Sequence, residues 1–484
     1  MSPLLIVAFS LLVLFATGQL LKPQTNTFHS NFTLSKDQIA SLNLSSTAAN
    51  NIEIATRFEQ SNWATGSVFH DPFYINLPCN ATSAPAGSLL KLETFTPTSN
   101  FTIAPTLALS RLVYQSKTLN GTLVPVSAYI LWPYLPRGGG KTLPLVSFGH
   151  GTSGVYAECA PSHIRNLWYQ FSGPYSLALS GYAVVATDYA GLGVANFPDG
   201  KNITHQYGAS PAAGNDLLYA AQAAQAAFPD HLSKEFVVMG HSEGGGAAWG
   251  AAQQQVKAKV PGYIGSIAAS PLTDVAELLT LKNSSLGNIQ SAQGILYVFP
   301  NLSLSCILTD AGMRFMNLVS ELSGCNSVFT TTLTSVAGED LFHPSVTLTR
   351  DEFLNSSYMK MWTDISAAGG RDFEGPLLVL HGTADPLLPE QQVAKYVNKT
   401  CALFPGKELH YVKVNGISHV PVMYATQQIW LDWLDKQFNK TDSGKKRTKC
   451  SQQEVGSNAP RPLREYQAEL NYFLEYSLDA YQVA

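Results

Sequence analysis

The sequence predicts an α/β fold with a mainly parallel central sheet and a helical insertion. From Leu143 onward, short apolar segments alternate with segments of helical length, a pattern typical of parallel strands buried on both faces. A Gly-x-Ser-x-Gly motif follows one of these segments directly. The chain has 484 residues, of which 45% are hydrophobic and 13% charged. It can therefore bury a large core, and it is longer than one core usually organises.

Three segments before residue 143 predict an antiparallel start to the sheet. Each is mostly apolar or alternating and is bounded by Gly or Pro breaks. The segment DPFYINLP at 71–78 comes earlier, and we expect it to be a loop. The three strand segments begin at Ser88, Arg111 and Val126.

Six later segments predict the parallel strands. An Ala-rich helix is predicted from Pro211 to Phe228, with proline in the first turn, where its missing N–H costs nothing. Strands that alternate with helices imply right-handed crossovers. The six segments are PLVSFG (144–149), YAVVATD (182–188), FVVMG (236–240), YIGSIAAS (263–270), PLLVLHG (376–382) and LHYVKV (409–414).

The interval from 273 to 373 interrupts the alternation of strands and helices. It contains helical patterns, two cysteines and no clear strand, so it is expected to form a cap or lid above the carboxyl ends of the strands. The predicted organisation is a signal peptide (1–18), an N-terminal polar segment (19–59), a core in two parts (60–272 and 374–440), the insertion (273–373) and a C-terminal tail (441–484).

The strongest chemical signal is Ser242 in the motif Gly240-His241-Ser242-Glu243-Gly244. A serine on a sharp turn between strand and helix needs small neighbours, and this context predicts a nucleophile of the α/β-hydrolase fold. The alternative is a tight turn in which Ser242 caps a helix.

A serine nucleophile needs a base, and the base needs an acid that orients it. In this fold the chain order is serine, acid, histidine. Asp385 follows a predicted strand and is the expected acid, although an Asp-Pro turn has the same pattern. His419 lies in a loop after the next strand and is the expected base, whereas His410 lies within that strand. His150, His241 and His381 are expected to shape loops.

Two N–H donors are expected to stabilise the oxyanion. One is the amide of Glu243, the residue after the nucleophile. For the second, the loop containing Gly151 and Thr152 and the turn at Asp188 are equally close by topology.

Several features of the sequence predict an exported glycoprotein. The apolar segment from Leu4 to Phe15 precedes a small-x-small pattern suited to signal peptidase. In an oxidising compartment the six cysteines favour disulfides over a metal site. The cysteines are Cys79, Cys159, Cys306, Cys325, Cys401 and Cys450. The sequons begin at Asn31, Asn43, Asn80, Asn100, Asn120, Asn202, Asn283, Asn301, Asn355, Asn398 and Asn439.

The charge pattern excludes nucleic acid as a partner. A net charge of −4 provides no basic surface for phosphates. No His/Cys cluster has zinc spacing, so neither a metal nor another cofactor is expected. No protein partner is inferred.

These residues together resemble the secretory lipase family. The resemblance rests on DPFY at 71–74, GYAVVATDYAGLG at 181–193, GHSEGGGAA at 240–248 and the Asp385 and His419 loops. It implies an exported lipase with a helical lid, a disulfide between Cys401 and Cys450, and a stronger case for Asp188 as an oxyanion donor. The tail differs from the family pattern, and its helical pattern at 465–482 predicts packing on the body or contact with lipid.

The expected activity is hydrolysis of carboxylic esters by a Ser-His-Asp triad, with triacylglycerol as the expected substrate and transient contact with a lipid interface. The same triad serves esterases for small, phenolic or polymeric esters and serine peptidases. An inactive binding module is the alternative outside enzymes, and it usually lacks a triad residue.

Overall fold

The computed structural model describes residues 30–169, 172–282, 286–338, 345–439 and 449–468. The predicted signal peptide, the Asn283 sequon and most of the predicted helix at 465–482 lie outside the described residues. No helix in the described part is long and apolar enough to cross a membrane.

A sheet of ten strands forms the centre of the protein, in the order β1-β2-β3-β5-β4-β6-β7-β8-β9-β10. The pairs β1–β2, β2–β3 and β3–β5 are antiparallel. All the following pairs, from β5–β4 across the sheet to β9–β10, are parallel. The strands are β1 (Leu89–Glu93), β2 (Ala108–Lys117), β3 (Leu123–Trp132), β4 (Leu143–Gly149), β5 (Ala183–Thr187), β6 (Leu232–His241), β7 (Tyr263–Ala269), β8 (Leu377–Gly382), β9 (Leu409–Val414) and β10 (Cys450–Val455).

Helices cover both faces of this sheet and fill the insertion. The described helices are α1 (Lys36–Ser41), α2 (Ser46–Ser61), α3 (Pro72–Ile75), α4 (Pro174–Leu179), α5 (Ser210–Ala227), α6 (Glu243–Ala258), α7 (Val275–Lys282), α8 (Leu286–Val298), α9 (Leu304–Ile307), α10 (Asp310–Glu321), α11 (Asn326–Ala337), α12 (Asp351–Leu354), α13 (Ser357–Ser366), α14 (Glu390–Leu403), α15 (Pro421–Ala425) and α16 (Gln427–Asn439).

Two buried clusters lie on opposite faces of the sheet. One joins the sheet to α5 and α6, with Leu217 and Trp249 fully buried. The other joins it to α4 and α16, with Leu177 and Leu434 fully buried. Nearly continuous apolar strands such as β5 are buried at every position because both faces are covered in this way. The predicted parallel sheet of an α/β fold is confirmed.

The insertion between β7 and β8 has its own core. Helices α7 to α13 occupy it, and its described residues contain no strand. Phe315 and Trp362 are fully buried within this core. The helical character predicted for 273–373 thus agrees with the structure.

Three parts of the chain differ from the prediction. No helix was predicted in the N-terminal polar segment at 19–59, but α1 and most of α2 form there, and Ile52 is fully buried against Leu318 and Val328 of the insertion. DPFY forms the short helix α3, because the Asp71 side chain accepts a hydrogen bond from the Phe73 amide and caps it. The tail adds strand β10, which pairs parallel with β9.

Four of the six cysteines form disulfides. Cys401 pairs with Cys450, as the resemblance implied, and fastens β10 to α14. Cys159 pairs with Cys325 and connects the region after β4 to the insertion. The expectation of a disulfide is wrong for Cys79 and Cys306, which are unpaired and exposed.

Candidate active site

Ser242 occupies the sharp turn between β6 and α6. Its backbone has φ 60° and ψ −118°, a conformation that is strained for any residue with a side chain. Hydrogen bonds hold the turn on both sides: the Ser242 amide donates to the Ala269 carbonyl, and the Leu272 amide donates to the Ser242 carbonyl, each at 2.9 Å. Ser242 is half-buried and lies at the carboxyl edge of the sheet, directly after the last residue of β6.

The two glycines of the motif are required by close backbone contacts. A Cβ atom on Gly240 would clash with the Gly244 carbonyl, and one on Gly244 would clash with the carbonyls of Gly149 and His150. The turn therefore packs directly against the end of β4 and the loop that follows it.

Asp385 and His419 meet at the carboxyl ends of β8 and β9. Asp385 Oδ2 accepts a hydrogen bond from His419 Nδ1 at 2.6 Å. Its Oδ1 accepts bonds from the amides of Leu387 and Leu388, both at 2.9 Å. Burial acts to raise the pKa of Asp385, but the charge and hydrogen bond of His419 outweigh it and lower the pKa to about 2. Asp385 is thus a carboxylate that fixes the Nδ1–H of His419, and Nε2 of this ring is left as the basic nitrogen.

His241 joins the backbone of His419 to the turn that carries Ser242. His241 Nε2 donates to the His419 carbonyl at 2.9 Å, and Nδ1 lies 2.5 Å from the Tyr169 hydroxyl. Burial, and then the charge of His419, lower the pKa of His241 to about 3, so this ring is neutral. Among the described residues no hydrogen bond joins Ser242 Oγ to the His419 ring. Such bonds are often long before substrate binds.

His381 supports the acid in a similar way. Its Nε2 donates to the Leu388 carbonyl at 3.0 Å and lies 3.6 Å from Asp385 Oδ2. Burial lowers the pKa of His381 and favours the neutral ring. The predicted rival base, His410, lies in β9 and contacts Ser451 of β10 and Glu408, the residue before β9.

The amide of Glu243 is a free donor beside Ser242. As the first residue of α6, Glu243 has no acceptor for its N–H within the helix. Its side chain is buried, and Oε1 lies 3.0 Å from His205 Nε2. Sequence analysis missed His205, because it lies in a loop that carries no motif.

The two candidates for the second donor have different surroundings. In the loop after β4, the amides of Gly151 and Thr152 have no acceptor among the described residues. The Asp188 amide donates to the Ser127 carbonyl at 2.9 Å, and its carboxyl accepts bonds from Ser127 and Ser162. Burial raises the pKa of Asp188 to about 7. These core contacts disfavour Asp188 as a donor to substrate.

The fold and site can be compared with known proteins. The structure is similar to that of lipase A from Candida antarctica, with a TM-score of 0.65 and 17% identity over 82% of this chain and 92% of that one. The closed state of the same lipase matches with a TM-score of 0.63 and 17% identity over 87% and 95%.

A mutant of the rice cell wall degrading esterase LipA from Xanthomonas oryzae matches with a TM-score of 0.58 and 17% identity over 73% of this chain and 100% of that one. No curated protein sequence matches the chain significantly. The sequence profile of the secretory lipases matches residues 174–446, which is more than half of the chain. The chain therefore belongs to the secretory lipase family, whose members are lipase-type hydrolases, and it has the α/β-hydrolase fold.

Proposed function

We propose that the protein is a secreted serine carboxylic-ester hydrolase that acts on triacylglycerols through an acyl-enzyme. The observation that carries this proposal is the strained conformation of Ser242 at the strand-to-helix turn. Strain at a position held by neighbouring hydrogen bonds is characteristic of functional residues. The Asp385 to His419 hydrogen bond at the same edge of the sheet supplies the rest of the catalytic apparatus.

In the first step Ser242 Oγ attacks the ester carbonyl carbon while His419 Nε2 takes up the hydroxyl proton. Asp385 stabilises the imidazolium that forms. His419 then donates this proton to the leaving alcohol, and the acyl group stays on Ser242. In the second step His419 activates a water molecule, which releases the carboxylic acid and restores the serine.

The negative charge on the carbonyl oxygen needs fixed donors in both steps. The Glu243 amide is one proposed donor. The amide of Gly151 or Thr152 is the other, because the Gly149 to Gly244 contact places that loop beside the nucleophile turn. Asp188 is not a proposed donor, since its amide and its carboxyl are both hydrogen-bonded to Ser127 in the core.

The helical insertion supports a lipid substrate. It begins directly after β7, so its first residues lie at the carboxyl edge of the sheet, where Ser242 and Asp385 also lie. We propose that it forms a lid over the acyl-binding region and that the protein contacts lipid interfaces transiently.

Export is supported by the surface of the described chain. All ten sequon asparagines in the described part are exposed, which is required for residues that carry glycans. The two disulfides require an oxidising compartment. We propose that the chain is secreted after removal of residues 1–18 and is N-glycosylated.

Labelling with a fluorophosphonate probe tests the nucleophile. The purified protein should take up one equivalent at Ser242, and the Ser242→Ala variant should fold but remain unlabelled. A panel of p-nitrophenyl and glycerol esters of graded acyl length then tests the substrate class. Preference for long-chain triacylglycerol supports the lipase assignment. Preference for short or phenolic esters, or for peptide amides, would replace it with an esterase or a peptidase.

A further inference from the structure

A buried pair of acid and base lies directly behind the nucleophile. His205 Nε2 is 3.0 Å from Glu243 Oε1, and the two side chains are only 3% and 4% exposed. The second carboxyl oxygen of Glu243, Oε2, is buried without a hydrogen-bond partner. An acid that is so poorly solvated must be neutralised, because a bare carboxylate is costly in the interior.

The contacts of His205 determine how many protons the pair holds. Its Nδ1 lies 3.1 Å from the Ala190 carbonyl, which can only accept, so Nδ1 carries a proton. Its Nε2 faces the Glu243 carboxyl, and a second proton lies between them. Whether that proton is on nitrogen or on oxygen, the pair has no net charge.

The groups around the pair offer no other cation. Tyr189 stacks on the His205 ring at 5.8 Å, and Tyr207 meets its edge at 6.2 Å. Burial raises the pKa of both tyrosines and lowers the pKa of His150. Asp216 lies beyond Ala190, and its carboxyl accepts a hydrogen bond from the Ala190 amide. Burial raises the pKa of Asp216 to about 7. Among these neighbours His205 alone can balance Glu243.

We propose that His205 is a positioning residue that keeps Glu243 free of net charge, so that the oxyanion forms at the Glu243 amide without a negative charge beside it. The proposal rests on the proposed function, because it assigns the oxyanion to this amide. An unbalanced carboxylate on the residue that donates the amide would raise the energy of the anionic transition state more than that of the neutral ester.

The test compares three variants in ester hydrolysis from pH 6 to 9. His205→Gln removes the side chain that balances Glu243, so a carboxylate at this position is no longer neutralised. We expect kcat to fall by about tenfold or more, with little change in KM. The double variant His205→Gln/Glu243→Gln removes the charge itself and should recover most of this loss. Glu243→Gln alone should lose less kcat than His205→Gln.

A matched control is available in β9. His410 Nε2 lies 3.3 Å from Glu408 Oε1, a second His–Glu pair at the opposite end of the strands from Ser242. His410→Gln should keep the kcat and the pH profile of the unmodified protein. Labelling of Ser242 in the unmodified protein tests the proposed function separately.

Two outcomes would overturn the role of His205. One is a His205→Gln variant whose kcat matches that of the unmodified protein across this pH range. The other is a double variant that is as impaired as His205→Gln, which would mean that packing and not charge is lost. If His205→Gln alone does not fold, the double variant decides: a folded, active protein supports the proposal, and an unfolded one contradicts it.

Discussion

Asp385 and His419 lie 34 residues apart in the chain, and a hydrogen bond of 2.6 Å joins their side chains. Neither side chain is more than 4% exposed, so water does not compete for this bond. The pairing depends on adjacent parallel strands, because β8 and β9 bring their carboxyl ends to the same edge of the sheet.

Replacing Asp385 by asparagine should lower kcat by about 10⁴. The amide cannot accept the Nδ1 proton in the way a carboxylate does, so His419 can take the wrong tautomer and the imidazolium is no longer stabilised. Ester hydrolysis under saturating substrate measures this loss. The exposed Asp432→Asn in α16 is the control and should keep full activity. A loss of less than about tenfold for Asp385→Asn would contradict its assignment as the catalytic acid.

His241 is predicted to support the base through the protein backbone. Its Nε2–H bonds the His419 carbonyl, so His241→Leu leaves this buried acceptor with only the longer bond from the Ser270 hydroxyl at 3.3 Å. We expect kcat to fall by about tenfold to a hundredfold, because small displacements of catalytic groups are costly. His241→Gln retains an N–H donor and should lose less. Equal activity of the two variants would show that the hydrogen bond does not position His419.

The strands and the catalytic turn were predictable from sequence because their signals are local. Apolar segments such as that of β5 and the glycines around Ser242 act through immediate neighbours. Strand β10 was missed because CSQQEV is polar, and its position depends on pairing with β9 and on the Cys401 disulfide. The His205 contact with Glu243 joins a loop to a helix, and no pattern along the chain encodes it. Helix α1 had a signal that could have been used, the capping box between Ser35 and Gln38.

Glu59 is predicted to make the stability of the protein depend on pH. It lies at the end of α2 and accepts hydrogen bonds from the amides of Cys325 and Val328 in the insertion. Burial raises its pKa from 4.5 to about 7, against the opposing effect of these bonds. As the pH rises, the unfolded chain releases this proton first. The folded chain keeps it until about pH 7.

The contribution of Glu59 to the free energy of unfolding is therefore full below pH 4.5 and lost as the pH rises to about 7. The loss is about 3 kcal/mol from the size of the shift. Glu59→Gln has no such proton, so its stability relative to the unmodified protein should rise over this range. Urea unfolding at a series of pH values measures the difference. The exposed Glu352→Gln variant is the control and should show no such trend. If the free energy of unfolding changes with pH in the same way for Glu59→Gln and the unmodified protein, the prediction is refuted.

The Cys159 to Cys325 disulfide is predicted to stabilise both the fold and the proposed oxyanion loop. It closes a loop of 166 residues, for which chain entropy predicts a contribution of about 5 kcal/mol. Close by, the Asn326 amide donates to the Ser153 carbonyl at 2.8 Å, next to Thr152. Replacing both cysteines by alanine should lower the denaturation midpoint and also kcat, since the loop loses its anchor. Cys79→Ser/Cys306→Ser changes two exposed, unpaired thiols and should alter neither quantity. Lowered stability with unchanged kcat would mean that the disulfide holds the insertion without positioning the Thr152 loop.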